Sequence, residues 1–304
     1  MKKLFFYIRH PLKGFHRQAK KGRLNWMPDK LYLSLMFRYY MGYWMDWKHP
    51  KTFNEKLQWL KIYNRNPLYT KLVDKYEVRD YIAKTIGEEF LIPLLGVWDK
   101  FEDIDFDKLP NRFVLKCTHD SGSYIICKDK NSFPFQEAKK KLGTAIKKNF
   151  FYTAREWPYK NTFPQIIAEK YIEDSNGVLL DYKFFCFHGN VNSVMICLDR
   201  HIHDTKFYFF NRNWELQKLN IRGKNAPEGF TIPKPSRINE MFSIAEKLSK
   251  DIPFVRVDLF ECNGNIYFGE MTFFPDGGFD ANLLPETDAH FGELINLTKL
   301  KGNK

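Results

Sequence analysis

The 304-residue chain has few of the features that usually announce a protein's class. Its five cysteines (Cys117, Cys127, Cys186, Cys197 and Cys262) are odd in number and show no C-x-x-C spacing. Neither a disulfide framework nor a zinc site follows, and they read as small buried hydrophobes. No apolar run is long enough to cross a bilayer. The apolar stretch from Leu4 to Ile8 is shorter than a signal-peptide core and no small-residue cleavage site follows it, so a cytoplasmic location is expected. The patterns G-x-x-x-x-G-K-[ST] and G-x-G-x-x-G are both missing, which removes a Walker A loop and a dinucleotide fingerprint.

With 44% hydrophobic residues the chain can bury a large core and form two or three subdomains. Its formal charge of +12 is uneven: residues 1–50 hold eleven Lys and Arg against Asp29 and Asp46, interleaved with aromatics such as Trp26, Tyr32, Phe37, Tyr40 and Trp44. Two readings follow: a helical arm whose aromatics pack on the main body while its lysines are solvated, or a segment touching an anionic membrane at its inner face. No nucleic-acid motif is present. Spacing predicts a helix over 53–63, with Leu57, Leu60 and Ile62 inward, Thr52 as N-cap and Glu55 as its capping-box partner. A second helix is expected over about 68–86.

Strands are expected over 91–98, 112–117 and 124–127. Lys116 ends a buried strand and is followed by a small polar loop with Ser121, Gly122 and Ser123, a plausible phosphate clamp. Arg155, in the aromatic stretch 152–159, belongs either to a packed turn or to a lid presenting it to an anionic substrate. An apolar strand runs into Glu169, Lys170, Tyr171 and Ile172; a strand edge there offers the acceptor, donor and apolar walls that adenine needs. The stretch from Asp181 through Lys183 to Phe187 turns at His188-Gly189-Asn190 and returns toward Arg200.

Near the C-terminus, two β-rich runs flank Asn263-Gly264, a strong hairpin signal. Alternation puts Arg256, Asp258 and Phe260 on one face of the first strand, and Phe268, Glu270 and Thr272 on one face of the second. Pairing outward from the turn brings Asp258 near Glu270. The two carboxylates share a face with a cation, either as an incidental ion pair or as a site for Mg2+, which takes one or two carboxylates plus phosphate oxygens. Pro275-Asp276-Gly277-Gly278 follows, where glycines let backbone N–H groups approach an anion.

Arg-Val-Asp-Leu-Phe, a turn, and Glu-Met-Thr-x-x-Pro-x-Gly-Gly resemble the metal-binding hairpin of the ATP-grasp superfamily, with Thr272 where Asn is usual. The wording around 53–57, 155–161, 181–187 and 268–273 is similar to the TupA-like (teichuronopeptide biosynthesis) branch, associated with capsules and other surface polymers. The resemblance implies an α+β ATP-grasp fold in which two α+β subdomains clamp ATP between antiparallel sheets, with a basic helical extension in front. The implied division is 1–67 for the basic, aromatic helical region, 68–110 for a linking helix and strand, 111–168 for a small subdomain with the glycine-containing loop, and 169–304 for a large subdomain with the hairpin.

It further implies ATP and Mg2+ as cofactors and ADP-forming ligation of a carboxylate to an amine or amino acid. Asp258, Glu270 and Thr272 would hold the metal. Lys75, Lys116, Ser121, Gly122, Ser123, Glu169, Lys170, Tyr171, Ile172, Asp181 and Lys183 would hold the nucleotide. Arg256, Lys183, Arg200, Gly277 and Gly278 would stabilise the reacting groups, and Arg155 and Asp276 would face substrate. Two other classes stay open: a glycosyltransferase, for which no D-x-D motif beside a nucleotide-sugar Rossmann half appears, and a silent nucleotide binder.

Overall fold

The computed structural model describes residues 9–174, 179–198 and 205–300. The basic N-terminal stretch folds into α1 (Pro11–Lys20) and α2 (Asp29–Met41). Gly42 ends α2 in the left-handed region at φ 81°, its N–H on the Arg38 carbonyl. Tyr32, Leu33, Met36 and Phe37 are buried in the main core, while Lys13, Arg17, Lys20, Lys21 and Arg23 are exposed. The arm therefore packs on the body through its aromatics. No helix among the described residues is long and apolar enough to cross a membrane.

Helix α3 (Phe53–Tyr63) opens with the expected capping box: the Glu55 N–H donates to Thr52 Oγ1 at 3.3 Å, and the Thr52 N–H donates to the Glu55 carboxylate at 3.1 Å. A cap of this kind is worth about 1 kcal/mol. The single helix expected over 68–86 is in fact two, α4 (Pro67–Val73) and α5 (Val78–Thr85). Asp74 makes the break. Its backbone is extended, and its carboxylate accepts from the N–H groups of Tyr76 (2.8 Å) and Glu77 (3.0 Å), a local bond that competes with helix continuation. The break brings Lys75 against Thr118, whose carbonyl takes the Lys75 N–H at 3.0 Å.

Strands β1 (Leu94–Trp98), β2 (Phe113–Cys117), β3 (Tyr124–Cys127) and β4 (Ile166–Lys170) form an antiparallel sheet in the order β1-β4-β2-β3. The sheet thus takes a strand from the stretch expected as a link, and β4 runs across position 168. Phe113, Leu115, Cys117, Ile125 and Cys127 pack with Ala138 and Leu142 of α6 (Phe135–Ala145) into a smaller core. The other face carries Lys116, Glu169 and the exposed Tyr124 and Ile126. After α6 comes the short α7 (Phe151–Ala154).

The second sheet has six antiparallel strands in the order β10-β9-β5-β6-β7-β8: β5 (Asp181–Phe187), β6 (Asn190–Leu198), β7 (Lys206–Phe210), β8 (Leu216–Gln217), β9 (Val255–Cys262) and β10 (Asn265–Thr272). Helices α8 (Ile221–Lys224), α9 (Ile238–Leu248) and α10 (Pro285–Leu294) complete this part. Tyr182, Phe184, Val255, Val257, Leu259 and Met271 fill the main core, where the Phe184 ring stands edge-on to Phe242 of α9 at 5.2 Å. Burying each such aliphatic or aromatic side chain contributes about 1.5–3 kcal/mol. All five cysteines are buried free thiols, as expected. Two antiparallel sheets in an α+β fold, preceded by a helical extension, is the expected architecture.

The turn of the β9–β10 hairpin has Asn263 at φ 49° and Gly264 at φ 77°, the left-handed pair that a two-residue hairpin loop requires. From that turn Asn265 pairs with Cys262 and Phe268 with Leu259, but Glu270 pairs with Asp258. Gly269 is an extra residue in a β-bulge. A strict ladder would set Gly269 opposite Asp258 and turn Glu270 toward the core, so the bulge is what brings the two carboxylates together. It also corrects the expected face: Phe268 lies on the core side, 5% exposed, opposite to Glu270 and Thr272.

A Cβ on Gly269 would come within 2.9 Å of the Phe260 ring and 3.0 Å of the Asp258 carbonyl. Gly269→Ala is therefore expected to destabilise the protein by about 1–3 kcal/mol, measured as a lower urea midpoint. An unchanged midpoint would show that the bulge accommodates a side chain.

Candidate active site

Three neighbouring strands set a row of charge. Lys183 of β5 pairs with Asp258 of β9, which pairs with Glu270 of β10. The next row on that face brings Arg256 opposite Thr272. Lys183 Nζ lies 2.6 Å from Asp181 Oδ2 and also binds Asp258 Oδ2. The Arg256 guanidinium grips Asp258 with two bonds of 2.7 Å and reaches Glu270 Oε1 and Thr272 Oγ1 at 3.1 Å each. The Thr272 hydroxyl donates to Glu270 Oε1 at 3.1 Å.

Asp258 is 1% exposed. Burial pushes its carboxyl upward, against the pull of Arg256 and Lys183. At Glu270 burial also acts upward, but Arg256, Lys75, Lys183 and the Thr272 hydroxyl outweigh it and hold the carboxyl at about 2. The donors are all hard oxygens, and among the described residues no third His, Cys, Asp or Glu joins them to form a complete protein cage. That set fits Mg2+, which leaves positions for phosphate oxygens and water.

On the facing sheet, Lys116 Nζ lies 2.5 Å from Glu169 Oε2, and Arg79 of α5 lies 3.3 Å from Glu169 Oε1. Both Glu169 oxygens are thus held by cations. Lys170 donates its N–H to the Pro93 carbonyl at 2.9 Å. Proline has no N–H to return, so the ladder leaves the Lys170 carbonyl, at the end of β4, without that bond. Tyr171 turns aside, stacked under Arg112 at 4.4 Å with its hydroxyl on Glu173; Ile172 is half-buried beyond it.

The polar loop is fastened at its base. Lys75 Nζ binds the Asp120 carbonyl, and Ser123 Oγ binds the Asp120 carboxylate. Its tip, Ser121 and Gly122, is exposed, with Gly122 at φ 89°. Arg200 lies outside the described residues.

The turns overturn two expectations. Arg155 is no lid: it is 2% exposed, its Nη2 donates to the carbonyls of Leu24, Asn25 and Met27 at 3.0–3.3 Å, and its guanidinium lies 4.5 Å over the Tyr32 ring. It secures the N-terminal arm instead. The Gly277 N–H donates to the Phe274 carbonyl at 2.9 Å and so is not directed at a reacting oxyanion. Its carbonyl accepts from Lys61 Nζ at 2.5 Å, while the Gly278 carbonyl accepts from Gln58 Nε2 at 2.5 Å. A Cβ on Gly278 would come within 2.6 Å of Gln58. Helix α3 therefore braces this loop.

A cavity of about 320 Å³ opens against the row, lined by Arg256, Glu270, Thr272, Asp276 and Gly277 together with Ser121 from the loop. Its remaining walls include Met36, Tyr40, Glu156 and Tyr159, none of which the sequence marked as a site residue. Glu156 alone carried a visible signal, an acid beside Arg155 in the aromatic stretch 152–159. Met36 and Tyr40 look like ordinary core positions of a helix.

Asp280, just past the loop, is pushed up to about 6 by burial and by the nearby Asp276. The folded state therefore keeps a proton that the unfolded chain loses, and this group's contribution to stability falls as pH rises from about 4 to 6. Asp280→Asn is expected to stabilise the protein by roughly 1–3 kcal/mol at pH 7 and to have little effect at pH 4, measured by chemical denaturation at the two pH values. Equal effects at both would remove the assignment.

The profile of the TupA-like ATP-grasp family matches residues 55–296. No curated protein matches the chain significantly. Among solved structures, D-alanine–D-alanine ligase from Bacillus anthracis complexed with ATP is 17% identical, covering 84% of this chain and 71% of its own, with a TM-score of 0.46. The Helicobacter pylori D-alanine–D-alanine ligase is 16% identical, covering 80% and 69%, with a TM-score of 0.42. D-cycloserine synthetase DcsG is 16% identical, covering 77% and 72%, with a TM-score of 0.41. The family match spans well over half the chain and carries the assignment: the chain belongs to the TupA-like ATP-grasp family.

Proposed function

We propose that the protein is a ligase that joins an amine or amino acid to the carboxylate of an acidic substrate, a uronic acid or glutamyl unit of a surface polymer under construction in the cytoplasm. The observation that carries the reading is the row Lys183–Asp258–Glu270 with Arg256 and Thr272 beside it, opening on a cavity. In this reading Asp258, Glu270 and Thr272 hold Mg2+, which when bound offsets charge on the phosphates. Arg256 and Lys183 keep the carboxylates ionised and aligned. The Lys170 carbonyl accepts from the adenine amine, with Tyr124 and Ile126 as apolar surface on the same sheet. Lys75, fixed to the base of the polar loop, sets where that loop covers the phosphates, and Asp181 orients Lys183. The substrate carboxylate attacks the γ-phosphoryl group to give an acyl phosphate and ADP, and the amine then displaces phosphate.

The acidic substrate is supported by a second, larger cleft of about 1310 Å³ that shares Met36, Tyr40, Ser121 and Phe150 with the first. It is lined by Lys20, Lys21, Lys140, Lys141, Lys147 and Lys148, with only Glu137 and Asp120 of opposite sign. A channel of one sign raises the local concentration of an anion and makes association salt-dependent. The exposed Trp26 and Trp44 near this basic arm support peripheral contact with an anionic membrane, where a polymer precursor would be at hand.

The test is ADP and phosphate release from MgATP with glucuronate, galacturonate and γ-glutamylglutamate as acids and a panel of amino acids as amines. Release should require one acid and one amine. Asp258→Asn and Glu270→Gln should each lower it by about 100-fold or more. No release with any pair, or consumption of a nucleotide sugar in place of ATP, overturns the reading. Lys147→Ala with Lys148→Ala should raise KM for an acidic oligomer several-fold more than for its monomer, and equal changes would detach the cleft from substrate binding.

A further inference from the structure

The cavity beside the charged row contains a carboxylate for which the reading above has no use. Arg155 adopts a left-handed backbone, φ 55°, which reverses the chain there: its own side chain turns to the N-terminal arm, and Glu156 turns to the cavity. The Tyr159 N–H on the Glu156 carbonyl at 3.1 Å fixes the following turn. Glu156 is 7% exposed. Among the described residues no hydrogen bond reaches its carboxylate, and no cation lies within ion-pair distance.

Neighbouring charge points to what belongs there. The groups that act on Glu156 are Lys61 from α3, Glu270 and Arg256 from the hairpin and Asp276 from the turn, with the Tyr159 phenol on its own segment. Lys61 is directed elsewhere, to Gln58 Oε1 and the Ala154 carbonyl at 2.8 Å and to the Gly277 carbonyl at 2.5 Å. Arg256 is engaged by Asp258 and Glu270. The cavity therefore has unmatched negative charge at Glu156 and Asp276, opposite the phosphate-facing row, and aromatic walls from Phe150, Tyr159 and Phe279. Anions are repelled there. A hydrated divalent ion would want several oxygens, whereas an organic ammonium suits one carboxylate framed by ring faces.

We propose that Glu156 binds the attacking amine as its ammonium ion and accepts its proton before the carbon–nitrogen bond forms. This rests on the ligase reading and extends it to the amine. One ammonium proton passes to Glu156, and the freed lone pair attacks the acyl carbon. The carbon–oxygen bond to phosphate breaks, and the second nitrogen proton leaves with the departing phosphate. Burial pushes the Glu156 carboxyl up to about 7, against the pull of Lys61, which suits a base working near neutral pH.

Hydroxylamine separates the two half-reactions, because it is already neutral at pH 7.5 and traps an acyl phosphate without a base. Wild type, Glu156→Gln and Glu156→Asp are compared with MgATP and the acids named above, using either glycine or hydroxylamine as the amine. In Glu156→Gln the ratio of hydroxamate to amide should rise by about 100-fold, with KM for glycine raised and half-saturating Mg2+ unchanged. Glu156→Asp should recover part of the amide rate. Equal loss of both products, an unchanged ratio, or a shift in Mg2+ dependence instead of glycine KM overturns the assignment. An ATP-dependent rise in Tm in each variant shows that the fold and nucleotide site are intact. A wild-type protein that binds ATP yet forms neither product removes the ligase reading itself, and the inference with it.

Discussion

Asp258 is held between two cations on β9, the strand next to the edge of a six-stranded sheet, and much of the site's geometry depends on that arrangement. A carboxylate that is 1% exposed is costly to ionise unless charge and hydrogen bonds compensate. Arg256 supplies two bonds from its own strand, and Lys183 supplies one from the strand on the other side. Because both cations have further partners, Asp181 for Lys183 and Glu270 with Thr272 for Arg256, five side chains besides Asp258 are drawn into one network. Removing Arg256 or Lys183 leaves the buried Asp258 carboxylate with one cation fewer, which ties the set together.

Arg256 and Lys183 bind the oxygens of Asp258 and Glu270, and their charges offset the repulsion between the two carboxylates. Around this centre the chain uses backbone carbonyls as anchors. Lys61 and Gln58 of α3 tie the Gly277–Gly278 turn, and Lys61 also ties Ala154. Arg155 ties the arm. These buried polar side chains join segments distant in sequence, so the cavity walls are held by bonds that few local patterns would reveal.

Hydrophobic spacing and capping residues made α3 legible to its ends, and Asn263-Gly264 announced the hairpin. The same spacing missed the break at Asp74, because a helix-compatible apolar pattern continues through it and the competing bond is made by one carboxylate to two N–H groups. Asn54, Gln58 and Lys61 were equally silent. They lie on one stripe of a helix buried on nearly all sides, where polar identity gives no hint of burial.

By itself the sequence determined the α+β class, the two-residue turn and the presence of Arg256, Asp258, Glu270 and Thr272 on one hairpin, since these follow from local conformational preferences and side-chain period. Which carboxylates meet was decided by the Gly269 bulge, a one-residue change of register that strict alternation does not contain. Tertiary structure likewise decided that Arg155 is an anchor, that Glu169 is already paired and that Met36 and Tyr40 of the N-terminal arm wall the cavity. Local spacing selects the element and its face; the partner a side chain meets depends on which distant segment folds against that face.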